Sequence, residues 1–243
     1  MVSALGSAAL RFAMGCSTTL PNAMEHIMFD TAKARHLMVE GQVRTADVTD
    51  TALLDAMLTL PRERFLPAAQ APLAYLDSDI PLGNGRALLK PMVLAKLITA
   101  ARVGRGDRVL DVGCGTGYSS AVLARLAGSV VALEEDAGLA RAAQETLAVI
   151  RASVEVVTGP LTAGWPAGGP YDVILLNGAT EIAPETLGGQ LKPDGRLVGI
   201  YSGSAAAKGM VYHHIEGRMV GRPVFDGAAH LLPGFAAPQT CVF

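Results

Sequence analysis

Cysteine is scarce and scattered in this chain: Cys16, Cys114 and Cys241 form no Cys-x-x-Cys pair and sit in no Cys/His cluster. Neither a disulfide framework nor a structural or catalytic metal site is therefore expected, and a reducing cytoplasm is the expected compartment. Aromatic residues are only 5% of the chain, too few for platforms on which bases stack. A basic surplus is missing as well. The net charge is -2 and the pI near 6.2, whereas a nucleic-acid footprint usually brings a domain pI above about 9. Long apolar runs are also absent. Mean hydropathy is +0.34, yet no stretch reaches the roughly 18 consecutive apolar residues that span a bilayer, so no membrane partner is expected. What the chain does have is core-forming material: 50% hydrophobic and 17% charged residues over a length of 243. That suits one α/β domain of ordinary size with a short appendage and excludes intrinsic disorder of the whole.

Three segments are expected. Residues Met1–Ala23 carry one positive charge, Arg11, and an apolar stretch broken by glycine. They read as a disordered leader rather than a signal peptide or lipoprotein site. Residues 24–101 read as a helical cap. Its first helix spans Asp30–Glu40, its second runs from an Asp50 N-cap to about Leu60, and its third from Pro91 to about Ala101. Between them, Pro67, Pro72, Pro81, Gly83 and Gly85 suggest irregular loops. From 102 to 243 short apolar runs alternate with helical segments. Strands are expected at Arg108–Val112, Val130–Glu134, Val154–Val157, Val173–Leu176 and Arg196–Ile200, with helices at Tyr118–Leu126, Gly138–Ile150 and Pro184–Leu191. Such alternation means βαβ units and a parallel sheet covered on both faces. Met210–Ile215 and Met219–Phe225 flank Glu216-Gly217-Arg218 and read as a β-hairpin at one edge.

The most informative segment is Val109-Leu110-Asp111-Val112-Gly113-Cys114-Gly115-Thr116-Gly117. A hydrophobic strand runs into glycines that let the backbone turn tightly and approach a ligand. A dinucleotide loop G-x-G-x-x-G would place its third glycine at position 118, which is Tyr118. Here the third is Gly117, and Asp111 stands two residues before the first. A carboxylate there repels a pyrophosphate and attracts a cation, which suits the ammonium and sulfonium of S-adenosylmethionine. Glu134 ends the next strand, 21 residues after Gly113, close to the interval at which an acidic side chain meets a ribose diol. Either acid alone could equally cap a helix or solvate a strand end. Together with the glycines they indicate an S-adenosylmethionine site.

With these residues in view the chain resembles the protein-L-isoaspartate O-methyltransferases from about Met38 to Phe235. Leu60-Pro61-Arg62-Glu63-Arg64-Phe65-Leu66-Pro67 is similar to that family's P-R-E-x-F-V-P signature, and Met38-Val39-Glu40-x-Gln42-Val43 to its early helix. The glycine loop, Gly164-Trp165-Pro166, Tyr171-Asp172-Val173-Ile174 and Gln190-Leu191-Lys192-Pro193-x-Gly195-Arg196-Leu197 follow in the family's order and spacing. The resemblance implies a Rossmann-like class I methyltransferase fold: a seven-stranded, mostly parallel sheet with helices on both faces, an N-terminal helical cap and a C-terminal hairpin. It also implies S-adenosyl-L-methionine as cofactor and isoaspartyl carboxyl groups of damaged proteins or peptides as acceptors. The cofactor-binding set carried over is Asp111, Gly113, Cys114, Gly115, Thr116, Gly117, Glu134, Glu135, Pro160, Leu161 and Asn177.

The departures lie on the acceptor side. Where the family reads roughly G-x-G-Q-T-I-S-x-P, this chain has Gly83-Asn84-Gly85-Arg86-Ala87-Leu88-Leu89-Lys90-Pro91, so both hydroxyls are lost, at Ala87 and Leu89. The acidic residue of the family's V-G-D-G is Pro160, and the threonine after its fourth strand is Asn177. Arg86, Leu89 and Asn177 are the candidates for a catalytic role, and Arg86 or Lys90 could meet an acceptor carboxylate or simply be solvated. A carboxylate acceptor is ionised at neutral pH, its reference pKa being about 4, so the missing hydroxyls remove orientation rather than a base. An alternative is kept open: a weak or inactive cofactor-binding protein, or a methyltransferase for another acceptor. Cys114 reads as a small residue beside the cofactor and Trp165 as packing. His213 and His214, adjacent on a strand, point to opposite faces.

Overall fold

The computed structural model describes residues 30–203 and 206–238; the expected leader, Cys16 and Cys241 lie outside the described residues. The N-terminal part begins with α1 (Thr31–Met38), capped by Asp30, whose side chain accepts from the Lys33 amide. The expected helix to Glu40 continues past Met38 as a π turn (Val39–Val43) and a 3-10 turn, closed by Asp47 in the left-handed region. Helix α2 (Thr51–Thr59) is capped as expected by Asp50, which accepts from the Ala52 and Leu53 amides. The stretch read as loops instead holds a hairpin, β1 (Ile80–Gly83) and β2 (Arg86–Leu88). Its turn is Asn84-Gly85, both at positive φ, a pair that suits the twist of a two-residue hairpin. Helix α3 (Pro91–Ala101) starts on its proline.

The central sheet contains β3 (Arg108–Val112), β4 (Ser129–Glu134), β5 (Glu155–Thr158), β6 (Tyr171–Thr180), β7 (Leu191–Tyr201), β8 (Lys208–Ile215) and β9 (Arg218–Asp226). Their spatial order is β5-β4-β3-β6-β7-β8-β9. The first five are mutually parallel, and the β8–β9 hairpin adds antiparallel at the β7 edge. Helices α4 (Tyr118–Leu126) and α5 (Ala137–Val149) connect the first strands.

Three further spans, all from β6 onward, differ from expectation. β6 runs on to Thr180 across a register shift, because the segment after β9 pairs with it: the Ala179 amide donates to His230 O (2.7 Å) and the Leu232 amide to Ala179 O (2.9 Å). Asn177 therefore lies within a strand rather than after one. The helix expected over 184–191 is one turn, α6 (Glu185–Gly188), stopped by Gly188-Gly189. β7 consequently starts at Leu191.

Alternation along the strands divides the core into two layers. Val109, Ala132, Val173 and Leu175 face one cluster shared with α1 through α5. Leu110, Leu133, Ile174 and Leu176 face the other, covered by Leu161, Leu187 of α6, Leu232 and Phe235. The N-terminal cap and the sheet thus share a continuous apolar layer, which fixes the β1–β2 hairpin beside the C-terminal ends of β3 and β4. No helix among the described residues is long and apolar enough to cross a membrane.

Candidate active site

Strands β3, β4 and β6 end at one rim, where ligands of open parallel sheets bind. Gly113, Gly115 and Gly117 all have positive φ, and Gly117 opens α4. The Gly113 and Cys114 amides donate to Leu133 O, which ties the loop to β4. The Thr116 hydroxyl turns toward the cap and donates to Phe65 O at 2.5 Å. Cys114 is buried, and burial pushes its thiol well above the usual range, so it cannot supply a thiolate.

Asp111 is fully buried. Its Oδ2 accepts from the hydroxyls of Ser119 and Ser120, each at 2.6 Å, in the first turn of α4. Asn177 reaches the same point, its Nδ2 donating to Ser119 Oγ at 2.7 Å. Two buried acceptors remain without partners there, Asp111 Oδ1 and Asn177 Oδ1. Burial raises the Asp111 carboxyl to about 6, against the pull of the two serines. The serines were missed in the sequence, although a pair of hydroxyls in the turn after a glycine loop is a readable signal.

Glu134 is equally buried. Oε2 accepts from the Gly115 amide (2.7 Å), and Oε1 from the amides of Glu135 (3.0 Å) and Asp136 (3.3 Å). Its remaining positions go to Arg86, which is 3% exposed rather than solvated. Arg86 Nε lies 3.2 Å from Oε1 and Nη2 3.2 Å from Oε2. Nη2 also donates to the Gly113 carbonyl and Nη1 to His230 Nε2 (2.9 Å). Burial, followed by the Arg86 charge, pulls His230 down to about 4, so at neutral pH its ring is uncharged and Nε2 accepts. His230 has no signal in the sequence, since only the pairing of 228–232 with β6 brings it here.

The other candidates are placed as follows. Glu135 is exposed and contributes its amide; Pro160 is exposed at the head of a 3-10 turn, and Leu161 is buried in the second core layer. Leu89 is buried in the first layer, with its carbonyl accepting from Arg62, so its side chain does not face the rim. The Lys90 amide donates to Asp79. Trp165 packs against the second layer, its amide donating to Gln190 Oε1. His213 Nδ1 lies 3.2 Å from Gly195 O while His214 packs beside Gly188. Among the described residues no three His, Cys, Asp or Glu are grouped to hold a metal.

Residues 33–210 match the profile of the protein-L-isoaspartate(D-aspartate) O-methyltransferase family. The chain belongs to that family. It is therefore an S-adenosylmethionine-dependent carboxyl O-methyltransferase acting on isoaspartyl residues. It is 44% identical over 180 residues to a protein-L-isoaspartate O-methyltransferase of Methylorubrum extorquens, covering 74% of this chain and 78% of that one. A namesake from Opitutus terrae is 40% identical over 176 residues, covering 71% and 76%. A solved protein-L-isoaspartate O-methyltransferase structure matches with TM-score 0.70 at 25% identity, over 82% of this chain and 66% of that one. A Plasmodium falciparum structure in complex with S-adenosyl-L-homocysteine shares the fold, TM-score 0.70, at 18% identity over 82% and 97%. These relatives do not favour the alternative of an inactive binder or a different acceptor.

Proposed function

We propose that the rim around the glycine loop holds S-adenosylmethionine, that Asp111, Asn177 and Glu134 are its principal polar contacts, and that the protein repairs isoaspartyl-bearing proteins or peptides in the cytoplasm, with no nucleic-acid or membrane partner. The observation that carries this reading is the pair of unpartnered buried acceptors, Asp111 Oδ1 and Asn177 Oδ1, gathered on Ser119. Buried acceptors of this kind call for a donor-rich ligand group, and the cofactor's ammonium is one. The Glu134 carboxylate is paired with Arg86, which leaves Asp111 as the uncompensated negative charge beside the loop. That matches a cofactor whose net charge is positive.

S-adenosylmethionine supplies an activated methyl group on a sulfonium. The protein's share is binding, orientation and exclusion of water. Asp111 and Asn177 would orient the amino end, Glu134 would meet the ribose diol once Arg86 is displaced from it, and the positive-φ glycines would allow close backbone approach. Gly115, Glu135 and Asp136 hold Glu134 in place through their amides. Leu232 lies over Gly113 and would exclude water from that side of the rim. An isoaspartyl carboxylate arrives already ionised, so the absence of hydroxyls at Ala87 and Leu89 removes no base. Incubation with labelled S-adenosylmethionine and an isoaspartyl peptide should yield base-labile methyl ester, and no ester on the isoaspartyl peptide above an aspartyl control would overturn the assignment.

The Asp111 shift gives a second expectation. The folded state raises this carboxyl from 3.8 to about 6, so it binds a proton more tightly folded than unfolded. Its ionised form thus opposes folding above pH 6, and the opposition is relieved as the pH falls toward 4. About two pKa units correspond to roughly 3 kcal/mol. Asp111→Asn should raise unfolding free energy by about 1–3 kcal/mol at pH 7.5, shrinking toward zero near pH 4, and weaken S-adenosylhomocysteine binding by a similar amount. Thermal melts across that pH range, with calorimetry at pH 7.5, test both. A less stable variant at pH 7.5 would contradict the burial argument.

A further inference from the structure

Arg86 stands where the cofactor's ribose would need to be. Its guanidinium presents two N–H groups to the Glu134 carboxylate, the same demand a vicinal diol makes with two hydroxyls. It also lies on the side-chain-free face of Gly113, where a Cβ would come within 2.5 Å of Nη2. Every remaining lone-pair direction of Glu134 is taken by an amide. Ribose and guanidinium cannot share this carboxylate.

We propose that Arg86 is an internal competitor for the ribose subsite and, once displaced, the cation that recognises the acceptor carboxylate. The proposal rests on the cofactor reading above. Arg86 is carried by a short element. It projects from β2, three residues long, in a hairpin whose tip is tied by Asn84 Nδ2 donating to Asp136 Oδ2 (2.6 Å). Its other two partners, the Gly113 carbonyl and neutral His230, are uncharged, so Glu134 is its one counterion among the described residues. Displacement by the diol frees a guanidinium on the hairpin, where the neighbouring Ala87 has no polar side chain of its own. An acceptor carboxylate entering there meets a cation only after the cofactor is seated. Cofactor occupancy thereby prepares the acceptor site.

The test compares wild type with Arg86→Gln and Arg86→Lys by calorimetry with S-adenosylhomocysteine and by initial rates with an isoaspartyl peptide. Glu134 keeps three amide donors in both variants, and melting curves check that they fold. Arg86→Gln should bind S-adenosylhomocysteine about ten-fold more tightly, as expected when a competing closed state is removed, while KM for the peptide rises about ten-fold or more at saturating cofactor. Arg86→Lys should fall between, because an ammonium cannot span both carboxylate oxygens. Equal or weaker S-adenosylhomocysteine binding by Arg86→Gln, with wild type still binding, overturns the competition and leaves the cofactor reading intact. An unchanged peptide KM overturns the acceptor role. Binding by none of the three proteins overturns the cofactor reading and this proposal with it.

Discussion

Glu134→Ala is expected to destabilise the protein by about 3–5 kcal/mol, in addition to weakening cofactor binding by about 1–3 kcal/mol. The reason lies in what the substitution leaves behind. Arg86 would remain in a buried site with its counterion gone, and breaking one side of a buried pair typically costs about that much. The amides of Gly115, Glu135 and Asp136 would lose their acceptor at the same time. Against a total stability of roughly 5–15 kcal/mol, such a loss consumes a large share. Removing both partners should be milder than removing one. Arg86→Met combined with Glu134→Ala is thus expected to recover about 1–3 kcal/mol relative to Glu134→Ala alone, the coupling typical of residues in direct contact. Urea unfolding of the two single variants and the double measures the cycle. Purely additive losses would mean that the two side chains are not energetically coupled.

What could be read from the chain beforehand follows sequence distance. The glycine loop and Glu134 were legible because strand, turn and acid lie within a short βαβ stretch and each has its own chemical signature. Asp50 was legible as a cap for the same reason. The partner of Glu134 was not: Arg86 lies 48 residues away on a hairpin, and a loop arginine carries no mark that separates a solvated side chain from a buried one. His230 and Leu232 reach the rim only because the segment after β9 pairs with the end of β6, a non-local register that no periodicity encodes. The β1–β2 hairpin is a different kind of miss. Asn84-Gly85 is a strong local signal for a two-residue turn, and the surrounding prolines obscured it. The end of β6 shows a third kind, where pairing with a distant segment carried the strand through Asn177-Gly178 despite a turn-like composition.

Arg62→Ala is expected to cost about 3–5 kcal/mol and to loosen the acceptor hairpin, although Arg62 touches no part of the proposed cofactor site. Arg62 is 0% exposed and forms no ion pair among the described residues. Burial lowers its pKa from the ordinary value, and its stabilisation comes from carbonyls and an aromatic face instead of an acid. Nε donates to Ala74 O (2.7 Å), Nη2 to Leu89 O (2.5 Å), and the guanidinium carbon lies 4.6 Å from the centroid of Tyr118. Truncation would leave two buried carbonyls unsatisfied, at about 1–3 kcal/mol each, and forfeit a desolvated cation–π contact of about 2 kcal/mol or more. Loss of the charge's own burial penalty offsets part of that sum. Arg62→Lys should rescue little, because one ammonium cannot reach both carbonyls while lying flat on the ring. Arg62 acts on function through Leu89, whose carbonyl it fixes between β2 and α3. The variant should therefore show a higher KM for isoaspartyl peptide and faster proteolytic cleavage within residues 80–90, with S-adenosylhomocysteine affinity little changed. Unfolding curves and limited proteolysis read the two effects separately. A stable variant with a protected hairpin would show that Ala74 and Leu89 find other donors and that Arg62 is not what anchors the acceptor side.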